Sequence, residues 1–180
     1  MAERLFAARI DSGRPVIASS AGTAGATGFP MDAPAAQVLR ELGGDSGGHV
    51  ARRLDPALIA ESDLILTGQT SHRSAVVLAD PLAFRRVFTL REFGRLGAGL
   101  PSLPGTATED QLRSRVLEVA SQRGVAPAAH MDEIDDPFGA PMRVMRACGQ
   151  QIGDAVDAAV AVLGLARLSS PADGRARISG

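Results

Sequence analysis

Short apolar runs alternate with longer amphipathic stretches along most of this chain. The apolar runs are brief and bounded by Gly or polar residues, which is typical of strands buried in a parallel sheet. Three of them, residues 15–20, 64–67 and 87–90, predict strands. Stretches with helical spacing separate them. This order of strands and helices predicts an α/β protein with a small parallel sheet covered on both faces.

The helices are indicated by apolar residues three or four positions apart, and their starts by capping residues. Asp32 is expected to cap the second helix, and Ser71 the helix before the third strand. Thr106 and Glu109 form a predicted capping box for a later helix. The last apolar stripe begins at Met142 and predicts one long final helix.

The chain is expected to fold as one domain over residues 1–165. It has 180 residues, of which 45% are hydrophobic, and this is enough to bury a core. Residues 166–180 are polar and contain Pro and Gly, so they predict a disordered tail.

Charge, hydropathy and cysteine content exclude several classes of function. The formal net charge of -1 gives no electrostatic basis for binding nucleic acid or an anionic membrane. No apolar run is long enough to span a membrane, and the N-terminus does not resemble a signal peptide. The one cysteine cannot form an internal disulfide, which indicates a reducing, cytoplasmic location. His72 and His130 lack metal-ligand spacing, so we expect no metal and no other cofactor.

Acidic residues cluster around an Asp-Pro turn ahead of the final helix. Asp132, Glu133 and Asp135 precede Asp136-Pro137. Because Pro disfavours helical geometry in the residue before it, Asp136 is expected on an extended, exposed turn. Crowded carboxylates raise the pKa of at least one member, which a proton donor near neutral pH requires. The alternative is that Asp135 or Asp136 caps the helix that follows.

Two further features have an ordinary interpretation beside a functional one. The series Gly22, Gly25 and Gly28 follows the first predicted strand, but its spacing is not the G-x-G-x-x-G of a dinucleotide site. Cys148 falls on the apolar stripe of the final helix, and Asp154 stands six residues later. A buried cysteine that acts as a small hydrophobe is therefore favoured over a nucleophile.

An ordered set of short sequences extends from residue 1 to about residue 163. Its members are Met1-Ala2-Glu3, Ser19-Ser20-Ala21-Gly22-Thr23, Met31-Asp32, Gly48-His49 with Ala51-Arg52, Asp63-Leu64-Ile65-Leu66-Thr67, Phe88-Thr89-Leu90-Arg91-Glu92-Phe93 and Asp136-Pro137-Phe138-Gly139. Together they resemble the low-molecular-weight protein-tyrosine phosphatases. The resemblance implies a three-layer α/β/α fold whose family sheet has four strands in the order 2-1-3-4.

The resemblance also implies an activity and assigns residues to it. The expected activity is hydrolysis of a phosphotyrosine protein or a small phosphomonoester through a cysteinyl-phosphate intermediate, with Asp136 as the general acid. Ser20, or Ser19 beside it, and His49 resemble positions that support the phosphate-binding loop. The alternatives are an ordinary strand-end turn for the serine and a surface histidine for His49. No metal is implied, since the loop amides and an Arg supply the positive field.

The family's nucleophile loop, Cys-x5-Arg-Ser, has no counterpart in these 180 residues. By the resemblance, that loop and the sheet's first strand come immediately before Met1. Loss of a central strand would leave two rows of backbone groups unpaired. We therefore expect the true start to lie upstream, and the chain as it stands to be inactive, the alternative being a non-catalytic pseudophosphatase or interaction module. The predicted strands near Val16 and near Leu64 would flank the missing strand. They are expected to lie roughly 9.6 Å apart, with an empty slot between them.

Overall fold

Helices dominate the computed structural model, which describes residues 1–11, 13–14, 16–23, 27–125 and 132–167. Gly25, His130 and most of the predicted tail lie outside these ranges. The described residues form seven α-helices, two β-strands and two short 3-10 helices. In chain order they are α1 (Ala2–Arg9), α2 (Ala33–Glu41), α3 (Pro56–Glu61), β1 (Ile65–Thr67), α4 (Thr70–Ala79), a 3-10 helix (Pro81–Arg85), β2 (Val87–Thr89), α5 (Leu90–Gly97), α6 (Glu109–Ser121), a 3-10 helix (Gln122–Gly124) and α7 (Met142–Val162).

The two strands pair in parallel. Their register aligns Ile65 with Val87 and Leu66 with Phe88. Parallel strands need a crossover connection, and α4 with the 3-10 helix after it supplies one. The α/β class and the parallel sheet predicted from the sequence are therefore confirmed.

The described part of the first predicted strand, residues 16–20, is not a strand. Within the described residues, the backbone of 16–21 makes one backbone hydrogen bond, from Val16 N to Arg14 O at 2.8 Å. Ile17 is 96% exposed. The prediction was wrong because a short apolar run becomes a strand only where a neighbouring strand satisfies its backbone, and no described strand lies beside this one.

The edge of β1 opposite β2 is also open. Ile65 N donates to Arg86 O on the β2 side, so the alternate residue Leu66 directs its backbone groups to the other side. In the described part of the chain, β1 pairs with β2 alone. The side chains of Val16, Leu64 and Leu66 nevertheless pack against the same hydrophobic core. β1 has therefore not closed up against residues 16–20.

Helix α7 is the centre of the core and packs against α1, α2 and α5. Glycines allow the close approach. A Cβ built on Gly97 would lie 2.5 Å from Cγ1 of Val162, and one on Gly149 would lie 2.3 Å from Cγ1 of Val38. Large side chains that are fully buried fill the rest of the core; they include Phe88, Phe93, Leu5, Leu39 and Leu165.

Two of the predicted helix starts differ in their capping. Asp32 stands at the N-cap of α2, but its side chain makes no capping hydrogen bond. Ser71 does not cap α4, because that helix already begins at Thr70. The amide of Thr70 donates instead to Oε1 of Glu133, at 3.2 Å. A cap supplied from so far along the chain cannot be read from local sequence.

The capping box of α6 lies two positions later than predicted. Thr108 caps the helix and pairs reciprocally with Gln111, whereas Thr106 and Glu109 were expected to do so. Both pairs have the same three-residue spacing, so the sequence pattern did not distinguish them.

Packing at the C-terminal end continues to Arg167. Ala166 forms an antiparallel bridge with Ile10, and Arg167 N donates to Arg9 O at 3.2 Å. These contacts join residues 166 and 167 to the end of α1. Within the described residues, every helix is too short or too polar to cross a membrane.

Candidate active site

The turn that carries Asp136 lies on the surface just ahead of α7. Oδ1 of Asp136 accepts a hydrogen bond from the amide of Phe138 at 3.1 Å, which closes an Asx turn over Pro137. Asp136 is exposed, and so is the Phe138 side chain. The exposed, proline-stiffened turn expected from the sequence is therefore present.

Neither Asp135 nor Asp136 caps the helix that follows. α7 begins at Met142, its N-cap residue is Pro141, and no side chain makes a capping hydrogen bond there. The chain needs the intervening turn, in which Gly139 has a φ of +74°, before it can enter the helix. The capping alternative is therefore wrong.

Two of the carboxylates in the predicted acidic cluster, those of Asp132 and Glu133, are engaged by partners on other elements. Asp132 pairs with Arg95, whose Nη2 lies 2.6 Å from Oδ2. Glu133 accepts hydrogen bonds from the side chain and amide of Thr70, and these bonds lower the pKa of Glu133. Glu133 is therefore not a member of the cluster whose pKa is raised.

Cys148 lies in a shallow pocket of about 150 Å³ against the Asp136 turn. Its Sγ donates to the carbonyl oxygen of Asp135 at 3.4 Å, and only 8% of the residue is exposed. Burial raises the pKa of the thiol, and the charges of Asp136 and Asp135 raise it further. A thiol in this environment is a poor nucleophile at neutral pH. The interpretation of Cys148 as a small buried hydrophobe is confirmed.

Ser20 and His49, the two residues expected to support the phosphate loop, meet at Glu3. Oγ of Ser20 donates to Oε2 of Glu3, and Nδ1 of His49 lies 3.9 Å from the same oxygen. Arg52 Nε donates to the Ser20 carbonyl at 2.8 Å. The structure thus selects Ser20 over Ser19 for this contact. The central residue of the group, Glu3, was not predicted, although an acidic residue in the first turn of a helix was a visible signal.

Two neighbouring residues of α7 contact the acidic turn and the residue that precedes α1. Cys148 contacts Asp135, and the Cα of the next residue, Gly149, faces α1 closely enough that a Cβ there would lie 3.5 Å from Sδ of Met1.

A larger groove of about 420 Å³ lies elsewhere, on α4 and the 3-10 helix after it. Its lining includes Arg73, Val77, Leu78 and Phe84. None of the candidate site residues lines it.

A family model described as low molecular weight phosphotyrosine protein phosphatase matches residues 1–100, which is more than half of the 180-residue chain. The chain belongs to this family. The low-molecular-weight phosphatase resemblance inferred from short motifs is thereby confirmed. Asp136 lies outside the matched residues, so the match itself assigns it no role. No curated protein matches the chain.

Solved structures of low-molecular-weight phosphatases have the same fold. The tyrosine phosphatase amsI of Erwinia amylovora is 20% identical, with a TM-score of 0.63 over 88% of this chain and 80% of that one. A low-molecular-weight protein tyrosine phosphatase from T. tengcongensis is 24% identical, with a TM-score of 0.61 over 88% and 86%. The YwlE arginine phosphatase of Geobacillus stearothermophilus is 23% identical, with a TM-score of 0.60 over 87% and 79%. The fold is the three-layer α/β/α arrangement of these phosphatases.

Proposed function

We propose that this chain carries the proton-donating half of a protein-tyrosine phosphatase, with Asp136 as the general acid. The observation that supports this proposal best is the exposure of the Asp136 carboxyl group on a fixed turn. Asp136 is exposed on a turn fixed by its own hydrogen bond to Phe138 N. No ion pair among the described residues engages it, so its carboxyl group is accessible to a bound substrate or to water.

The proposed reaction has two steps. A cysteine thiolate attacks phosphorus, the bond from phosphorus to the phenolic oxygen breaks, and Asp136 protonates the departing phenolate. The Asp136 carboxylate then takes a proton from water, which attacks the cysteinyl phosphate and releases phosphate and thiolate. The thiolate and the phosphate-binding Arg belong to a Cys-x5-Arg-Ser loop, and these 180 residues contain no such sequence. We therefore expect no turnover from the chain as it stands.

The Glu3 group fits the same proposal. Glu3 lies in the first turn of α1, and a helix N-terminus is where family members would hold the phosphate. Because Ser20 and His49 both reach Glu3, the group can hold a loop that enters α1 from the preceding residue. We assign Ser20 and His49 the role of supporting that loop.

The open edge of β1 also supports the proposal. Leu66 directs its backbone groups away from β2, and no strand among the described residues lies beside residues 16–20. One further parallel strand before the phosphate loop would satisfy both. Val16, Leu64 and Leu66 pack on the core but are only partly buried. They therefore offer an apolar surface to the side chains of such a strand.

Turnover of p-nitrophenyl phosphate tests the proposal directly. The comparison is between the chain of residues 1–180 and the extended chain, defined as the product of the same reading frame begun far enough upstream to include a Cys-x5-Arg-Ser sequence. The proposal predicts turnover by the extended chain and none by residues 1–180. A stop codon directly ahead of Met1, or an inert extended chain, would favour the alternative, a non-catalytic interaction module.

Substrate class is tested with the same pair of proteins. We propose phosphotyrosine as the preferred substrate, so the extended chain should release phosphate from a phosphotyrosine peptide. Phosphoarginine is the alternative substrate in this test, because one structural relative is an arginine phosphatase. Faster release from phosphoarginine would contradict the preference while leaving the phosphatase assignment intact.

A further inference from the structure

We infer that Arg95 and Glu133 are positioning residues for Asp136, an inference that rests on the proposed function. The segment that leads into the acid is tied down at consecutive residues, each to a different element of the fold. These contacts fix the start of the Asp136 turn. We call residues 132–135 the clamp segment.

The first tie is an ion pair to α5. Nε and Nη2 of Arg95 donate to the two carboxylate oxygens of Asp132, at 3.0 and 2.6 Å. The Asp132 side chain is 16% exposed and that of Arg95 is 31% exposed, so the pair is partly shielded from water. Bidentate pairing fixes the direction of the carboxylate as well as its distance. Asp132 cannot shift without breaking both bonds.

The second tie joins Glu133 to α4 and α5. Oε1 of Glu133 accepts from both the amide and the hydroxyl of Thr70, the first residue of α4. The carbonyl of Glu133 also accepts from Nη1 of Arg91 at 3.4 Å. Glu133 thus satisfies an amide that the helix itself leaves without a partner.

The third and fourth ties fix the backbone. Ile134 is buried, and its amide donates to the carbonyl of Gly68, the residue after β1, at 2.9 Å. The carbonyl of Asp135 accepts from Cys148 of α7. Within the described part of the chain, Asp136 is the next residue along and the first that makes no hydrogen bond or ion pair to another element.

This placement has a chemical consequence. A general acid must lie within hydrogen-bond reach of the leaving oxygen, and a displacement of about 1 Å can cost on the order of 10²-fold in rate. Among the described residues, the hydrogen bonds that shape the Asp136 turn are internal to it, from Phe138 N to Asp136 Oδ1 and from Ala140 N to Pro137 O. Its place relative to the end of β1 is therefore set by the clamp segment on one side and by the start of α7 on the other.

The first test measures amide hydrogen exchange in residues 1–180. Glu133→Ala should speed exchange at Ile134 and Phe138 by about tenfold or more, whereas Glu133→Gln keeps the Oε1 acceptor and should restore slow exchange. Arg95→Leu should act like Glu133→Ala. Arg113→Leu is the matched control. Arg113 lies on α6 and also pairs with carboxylates, those of Asp63 and Glu109. Unchanged exchange in Glu133→Ala and Arg95→Leu would overturn the inference.

The second test uses kcat/KM in the extended chain for two aryl phosphates. Phenyl phosphate has a poor leaving group and needs the acid, whereas 2,4-dinitrophenyl phosphate needs it little. Glu133→Ala should lower kcat/KM by about 10- to 100-fold for phenyl phosphate and far less for the dinitrophenyl ester. An equal loss on both would mean a merely structural role and overturn the positioning inference. An extended chain inert with every residue in place would instead overturn the proposed function, whatever the exchange results.

Discussion

The thiol of Cys148 donates a hydrogen bond to the backbone carbonyl of Asp135, the residue just ahead of the proposed acid. The single cysteine of the chain thus packs against the acidic turn. This contact gives Cys148 a structural role.

Cys148 is accordingly predicted to be dispensable for chemistry. Burial and the neighbouring carboxylates raise the pKa of its thiol, so it should react with iodoacetamide at pH 7 at least about tenfold more slowly than free cysteine. Cys148→Ala in the extended chain should keep kcat within about threefold, since only a weak hydrogen bond to the turn is lost. Rapid alkylation, or loss of all turnover on substitution, would contradict this role.

Ser20 is predicted to matter more than its neighbour. Ser20→Ala removes the hydrogen bond to Glu3 and should lower kcat of the extended chain about tenfold, the equivalent of a bond of roughly 1.4 kcal/mol. Ser19→Ala is the matched control, because Ser19 is exposed and makes no side-chain hydrogen bond within the described residues. Equal effects of the two substitutions on kcat would remove Ser20 from the site.

The contact of α5 with α7 is predicted to depend on Gly97. A Cβ there would lie 2.5 Å from Val162 Cγ1, so Gly97→Ala should lower the free energy of unfolding by about 1–3 kcal/mol. Gly99→Ala is the control, since a Cβ at that position meets nothing within 4 Å. Urea unfolding of the two variants measures the difference. Equal stability would show that the helices can move apart without cost.

Glu41 is predicted to give the fold a distinct acid sensitivity. Hydrogen bonds from Arg146, and then from Gln37, lower its pKa from 4.5 to about 2. Because the pKa in the folded state lies below the unfolded value, the stabilisation is complete above pH 4.5 and is lost as the pH falls toward 2. The stability advantage of the unsubstituted chain over Glu41→Gln should therefore shrink between these pH values in urea titrations. A constant difference in unfolding free energy would contradict the pairing with Arg146.

Local sequence patterns predicted those parts of the structure that local physics decides. β1, β2 and the long α7 follow from runs of apolar residues, and the Asp136 turn follows from its proline. The capping box of α5 also has a local signal, since Thr89 and Glu92 have the required three-residue spacing. Residues 16–20 do not form the predicted strand, because strand formation depends on a partner that no local pattern can supply.

The contacts that support the site could not be predicted in this way. Arg95 and Asp132 are 37 positions apart, and Thr70 and Glu133 are 63 apart. Nothing in either local sequence specifies the other. Glu3 is similar, since it reaches Ser20 and His49 only after α1 has packed on the core. Ion pairs and caps between distant segments are products of the tertiary fold.

The role of Asp136 is tested most directly by the rate of phenyl phosphate hydrolysis in the extended chain carrying Asp136→Asn, with Asp135→Asn as the matched control. Asparagine keeps the acceptor oxygen for the amide of Phe138 but cannot donate the acid proton. The account predicts that kcat/KM falls by about two orders of magnitude or more for Asp136→Asn and changes little for Asp135→Asn. An unchanged rate in Asp136→Asn, or the larger loss in Asp135→Asn, would contradict it.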